Sequence, residues 1–243
     1  MTTGRIDVHS HLLPGCDDGC RTVEESIECA KMMVAAGYTH SFCTPHVWPH
    51  LPANSAEKIP QQVVALQAAL NGAGVPLRLM PGGEINLRAD TPFTEVEKLV
   101  SYGMLRKFVL IDLWADKLPP FFAPAIKWFQ ALGIQVILAH PERMEAVQRE
   151  PQLADYFAEI GLLLQGNLQC FSDPLGLPTR TVVERYLLED RYFMLGSDLH
   201  NLKSLPMRLD GLKRAIDLVG EKTVDRLTVE NPRQLLPPAH AGS

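Results

Sequence analysis

Short apolar runs alternate with longer amphipathic segments along almost the whole chain. The first run, at 6–8, precedes TVEESIECAKMMVAAG, in which Thr22 can cap a helix, Glu25 completes a capping box and Gly37 suits the helix end. About seven such strand–helix units follow one another, and the strand runs are continuously apolar. Continuous apolar strands are typical of a sheet that helices cover on both faces, which indicates a parallel α/β fold.

The remaining elements follow the same alternation. The other predicted strands lie in YTHSFCTPH, PLRLMPGGE, KFVLIDLW, IQVILAH, LLLQGN and RYFMLGSDLH. The other predicted helices lie in QQVVALQAALNGAG, FTEVEKLVSYG, APAIKWFQALG, PQLADYFAEIG, TRTVVERYLLED, LDGLKRAIDLVG and EKTVDRLTVEN. No linker or change of composition divides the chain, so we expect one domain over 1–236 and a disordered tail over 237–243.

Histidines and carboxylates follow six of the seven predicted strands. They are His9, His11, His46, Glu84, Asp112, His140, Asp198 and His200, with Asp18 in the loop after the first strand. Any one of them is most simply a hydrogen-bonded rim residue or, for Asp18, a turn residue. Together they favour a barrel over a doubly wound sheet, because the carboxyl ends of barrel strands meet on one face. So many buried donors would be costly without cations to neutralise them.

The donor set also restricts the metal. It contains imidazole and carboxylate but no cysteine, which suits manganese, iron, zinc or cobalt rather than a thiolate-bound structural zinc. Nine ligands are too many for one ion, so we expect two or three divalent ions. His9 and His11 are two positions apart on an extended segment and so point the same way. Asp7 shares that side, and we interpret it as an orienting group.

Composition excludes several functions. The 243 residues carry a net charge of −5, from 23 Lys and Arg against 28 Asp and Glu, which gives no electrostatic reason to bind nucleic acid or an anionic membrane. We expect neither a secretory signal nor a membrane-spanning segment. Five scattered cysteines without a CxxC pair indicate a reduced, cytoplasmic setting. None has an arginine six positions later, so the sequence lacks a Cys-x5-Arg pattern for thiol-based phosphate chemistry. The oligomeric state stays open.

Six motifs carry a family resemblance. They are DVHSHLLPGCDDG, CTPH, GGEI, LIDLW, LAHPERM and GSDLHN. In this order they resemble the PHP (polymerase and histidinol phosphatase) superfamily, and more narrowly the bacterial capsule and exopolysaccharide protein-tyrosine phosphatases, over about residues 5–236. The resemblance implies a distorted (β/α)7 barrel with a trinuclear centre at the carboxyl ends of the strands, usually of manganese.

The resemblance also implies how the ligands divide. One ion would take His9, His11, Glu84 and Asp198; Glu84 would bridge to a second ion held by Asp112 and His140; Asp18, His46 and His200 would hold the third. Relatives usually have Glu where this chain has Asp112, one methylene shorter, and this difference could move or weaken one ion. Arg143 in HPERM would bind phosphate, a second phosphate-binding role would fall to Arg208 or Lys203, and His200 could protonate the leaving group.

The implied function is metal-dependent hydrolysis of phosphotyrosine in a protein, by a metal-activated hydroxide and without a phosphoenzyme. The implied partner is a bacterial tyrosine kinase that controls polysaccharide export. Two alternatives remain open at this point. One is a phosphatase for a small phosphomonoester such as histidinol phosphate, and the other is a non-catalytic regulatory module that keeps the fold.

Overall fold

The computed structural model describes residues 4–172 and 176–237 and shows strands that pair in parallel throughout. The strands are β1 (Arg5–Ser10), β2 (Tyr38–Cys43), β3 (His46–Val47), β4 (Arg78–Pro81), β5 (Glu84–Asn86), β6 (Phe108–Asp112), β7 (Gln135–Ala139), β8 (Leu163–Asn167) and β9 (Met194–Gly196). Their orders are β1-β2-β4 and β3-β5-β6-β7-β8-β9. The predicted parallel α/β fold is confirmed.

The two sheets are linked where the chain continues from one to the other. β2 leads into β3 and β4 leads into β5, each after a break of two residues. Backbone hydrogen bonds cross these breaks, from Gly82 N to Cys43 O (2.9 Å) and from Glu84 N to Pro45 O (3.1 Å). The strands therefore form one curled surface rather than two separate layers.

The segment that follows β9 contacts the end of β1. Asp198 N donates to His9 O and His11 N donates to Leu199 O, both at 2.7 Å. The segment after β9 is thereby held against the end of β1, and Ser10 forms an isolated parallel bridge with Leu199. Residues nearly 200 positions apart in sequence are neighbours as a result.

Helices cover the outside of the curl. They are α1 (Val23–Ala35), α2 (Lys58–Gly72), α3 (Phe122–Ala131), α4 (Glu145–Arg149), α5 (Leu153–Glu159), α6 (Leu177–Leu188), α7 (Leu205–Val219) and α8 (Glu221–Asp225). The predicted ends of α1 are confirmed. Thr22 Oγ1 accepts from Glu25 N (3.2 Å), the Glu25 carboxylate accepts from Arg21 N (2.9 Å), and Gly37 has φ +90°. None of the described helices is both long and apolar enough to cross a membrane.

One predicted helix is wrong. FTEVEKLVSYG contains 3₁₀ turns at Thr91–Phe93, Val96–Lys98 and Tyr102–Met104 instead of an α-helix. The four consecutive residues 99–102 are all buried. Successive side chains of an α-helix are about 100° apart, so no single helix face could bury all four. The predicted last helix also differs, because α8 passes into a π-helical turn at Arg226–Glu230.

Two buried apolar clusters explain why the strand sequences are continuously apolar. In β6, Val109 and Ile111 belong to the large cluster beneath the helices, whereas Leu110 between them belongs to a second cluster with Phe42 and Ile137. Both sides of the strand are therefore dry. The predicted disordered tail falls, apart from residue 237, outside the described residues.

Candidate metal centre

The nine expected ligands lie close together on the carboxyl-end side of the sheet. Eight of them form three overlapping groups, in each of which one ligand atom per residue lies within 4.8 Å of the others. The outer group is His11, Asp18, His46 and His200; the middle group is His9, His11 and Glu84; the inner group is Glu84, Asp112 and His140. Asp198 lies beside the middle group, with Oδ1 3.5 Å from His9 Nε2 and 3.3 Å from His11 Nε2.

Two of these residues occupy the strand breaks rather than strand ends. His46 is the first residue of β3 and Glu84 the first residue of β5, and the two are paired in register. Gly83, just before Glu84, lets the chain approach closely there, since a Cβ atom would lie 2.5 Å from the Val100 side chain. The breaks therefore turn an imidazole and a carboxylate toward the centre of the curl.

Hydrogen bonds at the Nδ1 atoms fix the ring orientations of His9 and His11. Gln165 donates its Nε2 to Gly166 O (2.6 Å), so its Oε1 is the atom that faces His9 Nδ1 at 2.8 Å, and Nδ1 must carry the proton. His11 Nδ1 donates to Asp17 Oδ2 at 2.7 Å. Both Nε2 atoms then present lone pairs, and they lie 3.3 Å apart. Facing lone pairs require a cation or proton between them, which fits a metal site.

Glu84 lies at the centre of the groups and is fully buried. Its Oε1 accepts from His140 Nε2 at 2.9 Å. Its Oε2 lies 2.8 Å from His46 Nδ1, yet neither of these two buried atoms has a hydrogen-bond partner among the described residues. Burial raises the pKa of Glu84, but His9, His140 and His46 outweigh it and hold the pKa well below its usual range. A carboxylate oxygen and an imidazole nitrogen this close fit an ion pair when His46 is protonated and a bridging cation when it is not.

The outer group reaches solvent. The Asp18 side chain is 67% exposed, and its Oδ1 lies 3.4 Å from both His46 Nε2 and His200 Nε2. These two rings hold the pKa of Asp18 below its usual range. His200 Nδ1 donates to Asp198 O (2.8 Å), which leaves Nε2 directed at Asp18. Burial lowers the pKa of His46, but Asp18 and Glu84 raise it to about 9.

All three residues of the inner group are buried from solvent. Asp112 ends β6 and is 1% exposed, and its Oδ2 accepts a 2.6 Å hydrogen bond from Trp114 Nε1. Burial, with the neighbouring Glu84 carboxylate, raises the pKa of Asp112 to about 6. His140 follows β7 with φ +33° and ψ 55°, a left-handed conformation that is rare outside glycine. Asp198 has φ +52°, so two expected ligands carry backbone strain of the kind that functional sites retain.

The two arginines and the lysine that we considered for phosphate binding lie in different places. Arg143 Nη1 donates to Asp198 Oδ2 at 3.1 Å, and its side chain remains 26% exposed. Arg208, in α7, is buried and donates from Nη1 to Ser197 O (2.8 Å), 3.8 Å from Asp198 Oδ2. Lys203 is exposed and has no such contact with the expected ligands among the described residues.

Several supporting residues were missed by reasoning from sequence. Asp17 also accepts from His46 N (2.9 Å), and Asn167 Nδ2 donates to Asp198 Oδ2 (2.7 Å). Asn167 and Gln165 come from the one strand without a charged donor, where their spacing of two in LLLQGN was the available signal. Asp7, by contrast, was interpreted from the sequence as an orienting group; it accepts from Ser197 N (2.8 Å) and Oγ (2.6 Å) and so positions the segment after β9.

The fold and site define an α/β protein with a candidate metal centre built from histidines and carboxylates. Comparison with known proteins places it more closely. The family described as "Capsular polysaccharide synthesis, CpsB/CapC" matches residues 5–237, and the chain belongs to that family. This confirms the resemblance to the capsule-synthesis proteins that the motifs indicated.

Curated relatives match most of the chain. It is 27% identical over 204 residues to the tyrosine-protein phosphatase YwqE of Bacillus subtilis (strain 168), with 82% of this chain and 78% of YwqE covered. It is 25% identical over 244 residues to the tyrosine-protein phosphatase CpsB of Streptococcus pneumoniae, with 95% of this chain and 98% of CpsB covered.

Solved structures agree on the fold. One from a study of YwqE from Bacillus subtilis and CpsB from Streptococcus pneumoniae, described as unique metal-dependent tyrosine phosphatases, matches with a TM-score of 0.87 at 24% identity, over 95% of this chain and 94% of that one. The Escherichia coli phosphotriesterase homology protein, solved with phosphate in its active site, matches at 0.61 with 11% identity, over 96% and 99%. At these identities the matches support the fold alone.

Proposed function

We propose that this protein is a metal-dependent protein-tyrosine phosphatase. Its curated relatives are named as tyrosine-protein phosphatases over most of its length. The observation that carries the proposal is the pair of imidazole Nε2 atoms, on His9 and His11, that face each other at 3.3 Å with their Nδ1 protons committed elsewhere. This arrangement needs a cation or a shared proton between the two nitrogens, and divalent cations on such a face suit phosphate-ester hydrolysis.

The proposed centre holds two or three divalent ions, manganese first, in a barrel of the (β/α)7 type that covers residues 1–236. The outer, middle and inner groups would each hold one ion, with Asp198 joining the middle group and Glu84 shared between the middle and inner groups. The sharing of Glu84 and the overlap at His11 support a compact cluster. Bound divalent ions would neutralise the phosphoryl oxygens and lower the pKa of a coordinated water.

The protein side chains supply the remaining requirements. Arg143 is partly exposed and so can donate to non-bridging phosphoryl oxygens from a position already fixed by Asp198. Arg208 is buried beside Asp198 and balances the charge of that carboxylate. We assign the second phosphate-binding role to Arg208 rather than to Lys203, which is exposed and has no ion pair with the expected ligands among the described residues. A tyrosine leaving group has a reference pKa of about 10, so it needs little protonation. In a two-ion centre whose outer group is free of metal, His200 Nε2 can provide that proton, whereas in a three-ion centre this nitrogen would bind the outer ion instead.

The substrate that we propose is a tyrosine-phosphorylated protein, specifically a bacterial tyrosine kinase that controls polysaccharide export, and the setting is cytoplasmic. Membership of a capsular polysaccharide synthesis family supports this choice. A small ester such as histidinol phosphate is the competing substrate. A regulatory module without activity is the competing class.

Turnover measurements separate these possibilities. The purified protein is loaded with Mn²⁺ and assayed on an aryl phosphate, with and without a chelator, and then on a phosphotyrosine peptide from a kinase tail and on histidinol phosphate. We expect chelator-sensitive hydrolysis of the aryl phosphate and a higher kcat/KM for the peptide than for histidinol phosphate. A preference for the small ester contradicts the substrate, and absence of hydrolysis with Mn²⁺ contradicts the enzyme.

A further inference from the structure

Trp114 joins two parts of the candidate centre that come from different strands. It lies two residues beyond Asp112, the acid that ends β6. Its indole N–H donates to Asp112 Oδ2 at 2.6 Å. One face of its ring lies against Arg143, whose guanidinium carbon is 4.7 Å from the ring centroid. A single rigid side chain therefore contacts both a proposed metal ligand and the proposed phosphate-binding arginine.

The exposure of Trp114 makes this arrangement informative. The residue is 54% exposed, although an indole is among the most favourable side chains to bury. Packing alone does not explain its place, because about half of the ring surface gains nothing from burial. The two specific contacts do explain it, since they use the N–H edge and one face of the ring. The His140 ring lies nearby, with its centroid 6.0 Å from that of Trp114, and about half of the tryptophan stays in water.

The hydrogen bond from the Trp114 N–H orients the Asp112 carboxylate. A carboxylate has two oxygens, and the indole occupies only Oδ2 of Asp112, which leaves the other oxygen for a cation. Hydrogen bonds from behind a ligand fix its orientation and raise metal affinity, typically by about 10–100-fold. An aspartate, with one rotatable bond fewer than a glutamate, loses less freedom when it is held in this way.

The contact with the Trp114 ring restricts the Arg143 side chain. Arg143 has one hydrogen bond from Nη1 to Asp198 Oδ2, at 3.1 Å, and a side chain that is 26% exposed. An arginine held by one hydrogen bond keeps several rotamers, and a flat aromatic face beneath the guanidinium restricts them. The ring thus restricts the guanidinium group while its exposed N–H groups stay available.

We propose that Trp114 is a positioning residue that holds Asp112 for metal binding through its N–H and holds Arg143 for phosphate binding through its ring. The inference rests on the proposed metal-dependent phosphatase. It assigns separate roles to separate parts of one side chain, so that two substitutions can divide them. Trp114→Phe keeps an aromatic face and removes the N–H, whereas Trp114→Leu removes both.

The test measures binding rather than turnover. Mn²⁺ affinities are determined by calorimetry on the metal-free protein, and the affinity of the Mn²⁺-saturated protein for inorganic phosphate is measured separately. We expect Trp114→Phe to weaken one Mn²⁺ site about tenfold and to leave phosphate affinity within about twofold. We expect Trp114→Leu to weaken that Mn²⁺ site equally and to lower phosphate affinity about fivefold further.

Two controls make the result specific. Trp128→Phe alters a tryptophan of α3 that packs against Phe129, and both affinities should stay at the wild-type values. In an Asp112→Asn background, Trp114→Phe should have no further effect on Mn²⁺ binding, because the N–H acts through that carboxylate. Circular dichroism confirms that each variant is folded.

Each binding measurement has a result that would overturn one of the two roles of Trp114. Wild-type Mn²⁺ affinity in Trp114→Phe overturns the role of the N–H, and equal phosphate affinity in the Phe and Leu variants overturns the role of the ring. An undiminished effect in the Asp112→Asn background shows that Trp114 acts elsewhere and also overturns the inference. Failure of the wild-type protein to hydrolyse an aryl phosphate would instead contradict the proposed function, and the two failures are distinguishable.

Discussion

The inner and outer groups use the same kinds of ligand in opposite surroundings. In the inner group the Glu84 and His140 side chains are 0% and 4% exposed, whereas the Asp18 side chain of the outer group is 67% exposed. Buried charges interact more strongly than exposed ones, and an ion bound among buried ligands exchanges with solvent more slowly. The contrast indicates one end of the centre that retains its ion and another that is open to solvent and to an incoming phosphoryl group.

The largest expected effect comes from the buried end. His140→Ala removes a proposed ligand that also donates to Glu84 Oε1, and we expect kcat to fall at least about a hundredfold, with no recovery in excess Mn²⁺. The measurement is aryl phosphate hydrolysis across a range of Mn²⁺ concentrations. His50→Ala alters an exposed histidine and serves as the matched control. Activity of His140→Ala near the wild-type value would remove the inner group from the reaction.

A smaller and recoverable effect is expected at the exposed end. Asp18→Ala removes the carboxylate shared by His46 and His200, and we expect about a tenfold loss of activity at low Mn²⁺ that excess Mn²⁺ largely restores. Activity measured against Mn²⁺ concentration gives the apparent affinity. If Asp18→Ala cannot be rescued while His140→Ala can, the assignment of the two ends is reversed.

The rate at which a chelator removes metal from the wild-type protein also compares the inner and outer groups. The Mn²⁺-loaded protein is mixed with a chelator, and metal content is followed by elemental analysis after rapid desalting. We expect two phases, with the exposed ion leaving first and the buried ion or ions later, because access to solvent limits exchange. A single phase for all of the metal would show that burial does not distinguish the groups.

Proton release on metal binding follows from the outer group. The pKa of His46 is raised to about 9 in the metal-free protein, so the ring is protonated at about pH 7.5 and must lose its proton to bind an ion. Metal affinity should therefore fall as the pH falls. Calorimetry in two buffers of different ionisation enthalpy counts the protons, and His46→Gln should release fewer. Equal release by both proteins would contradict the shifted pKa.

The smallest effect is expected from the cysteine nearest to the centre. Burial, with help from Asp17, raises the pKa of the Cys16 thiol to about 11, so it stays protonated near neutral pH. Cys16→Ser should keep kcat within about twofold of the wild-type value. A large loss would indicate thiol chemistry and would contradict both groups as the source of activity.

The sequence was most informative where chemistry and strand order coincide. Metal-binding residue types recur at the ends of apolar runs, and this regularity brought out residues as far apart as His9 and Asp198 without knowledge of the fold. Their proposed membership in one metal centre was inferred from the expected convergence of barrel strand ends. The predicted parallel order also followed, because continuous apolar runs such as the one ending at Asp112 suit strands buried on both sides.

The supporting contacts could not be predicted in the same way. Gln165, Asp17 and Trp114 have ordinary residue types, and their importance depends on atoms that face them across the curl. The segment FTEVEKLVSYG was mistaken for a helix, whereas burial of four successive side chains at 99–102 is incompatible with one helix face. Short-range patterns carry no information on such long-range contacts.

The hydrogen bonds between the first strand and the segment after β9 have a consequence for biosynthesis. Asp7 and His9 emerge from the ribosome early, but their partners Ser197 and Asp198 follow some 190 residues later. A nascent chain therefore cannot assemble the complete ligand set until nearly all of it has left the exit tunnel. Insertion of the proposed metal ions is expected to be post-translational, and a chain terminated before Asp198 would lack part of the candidate site.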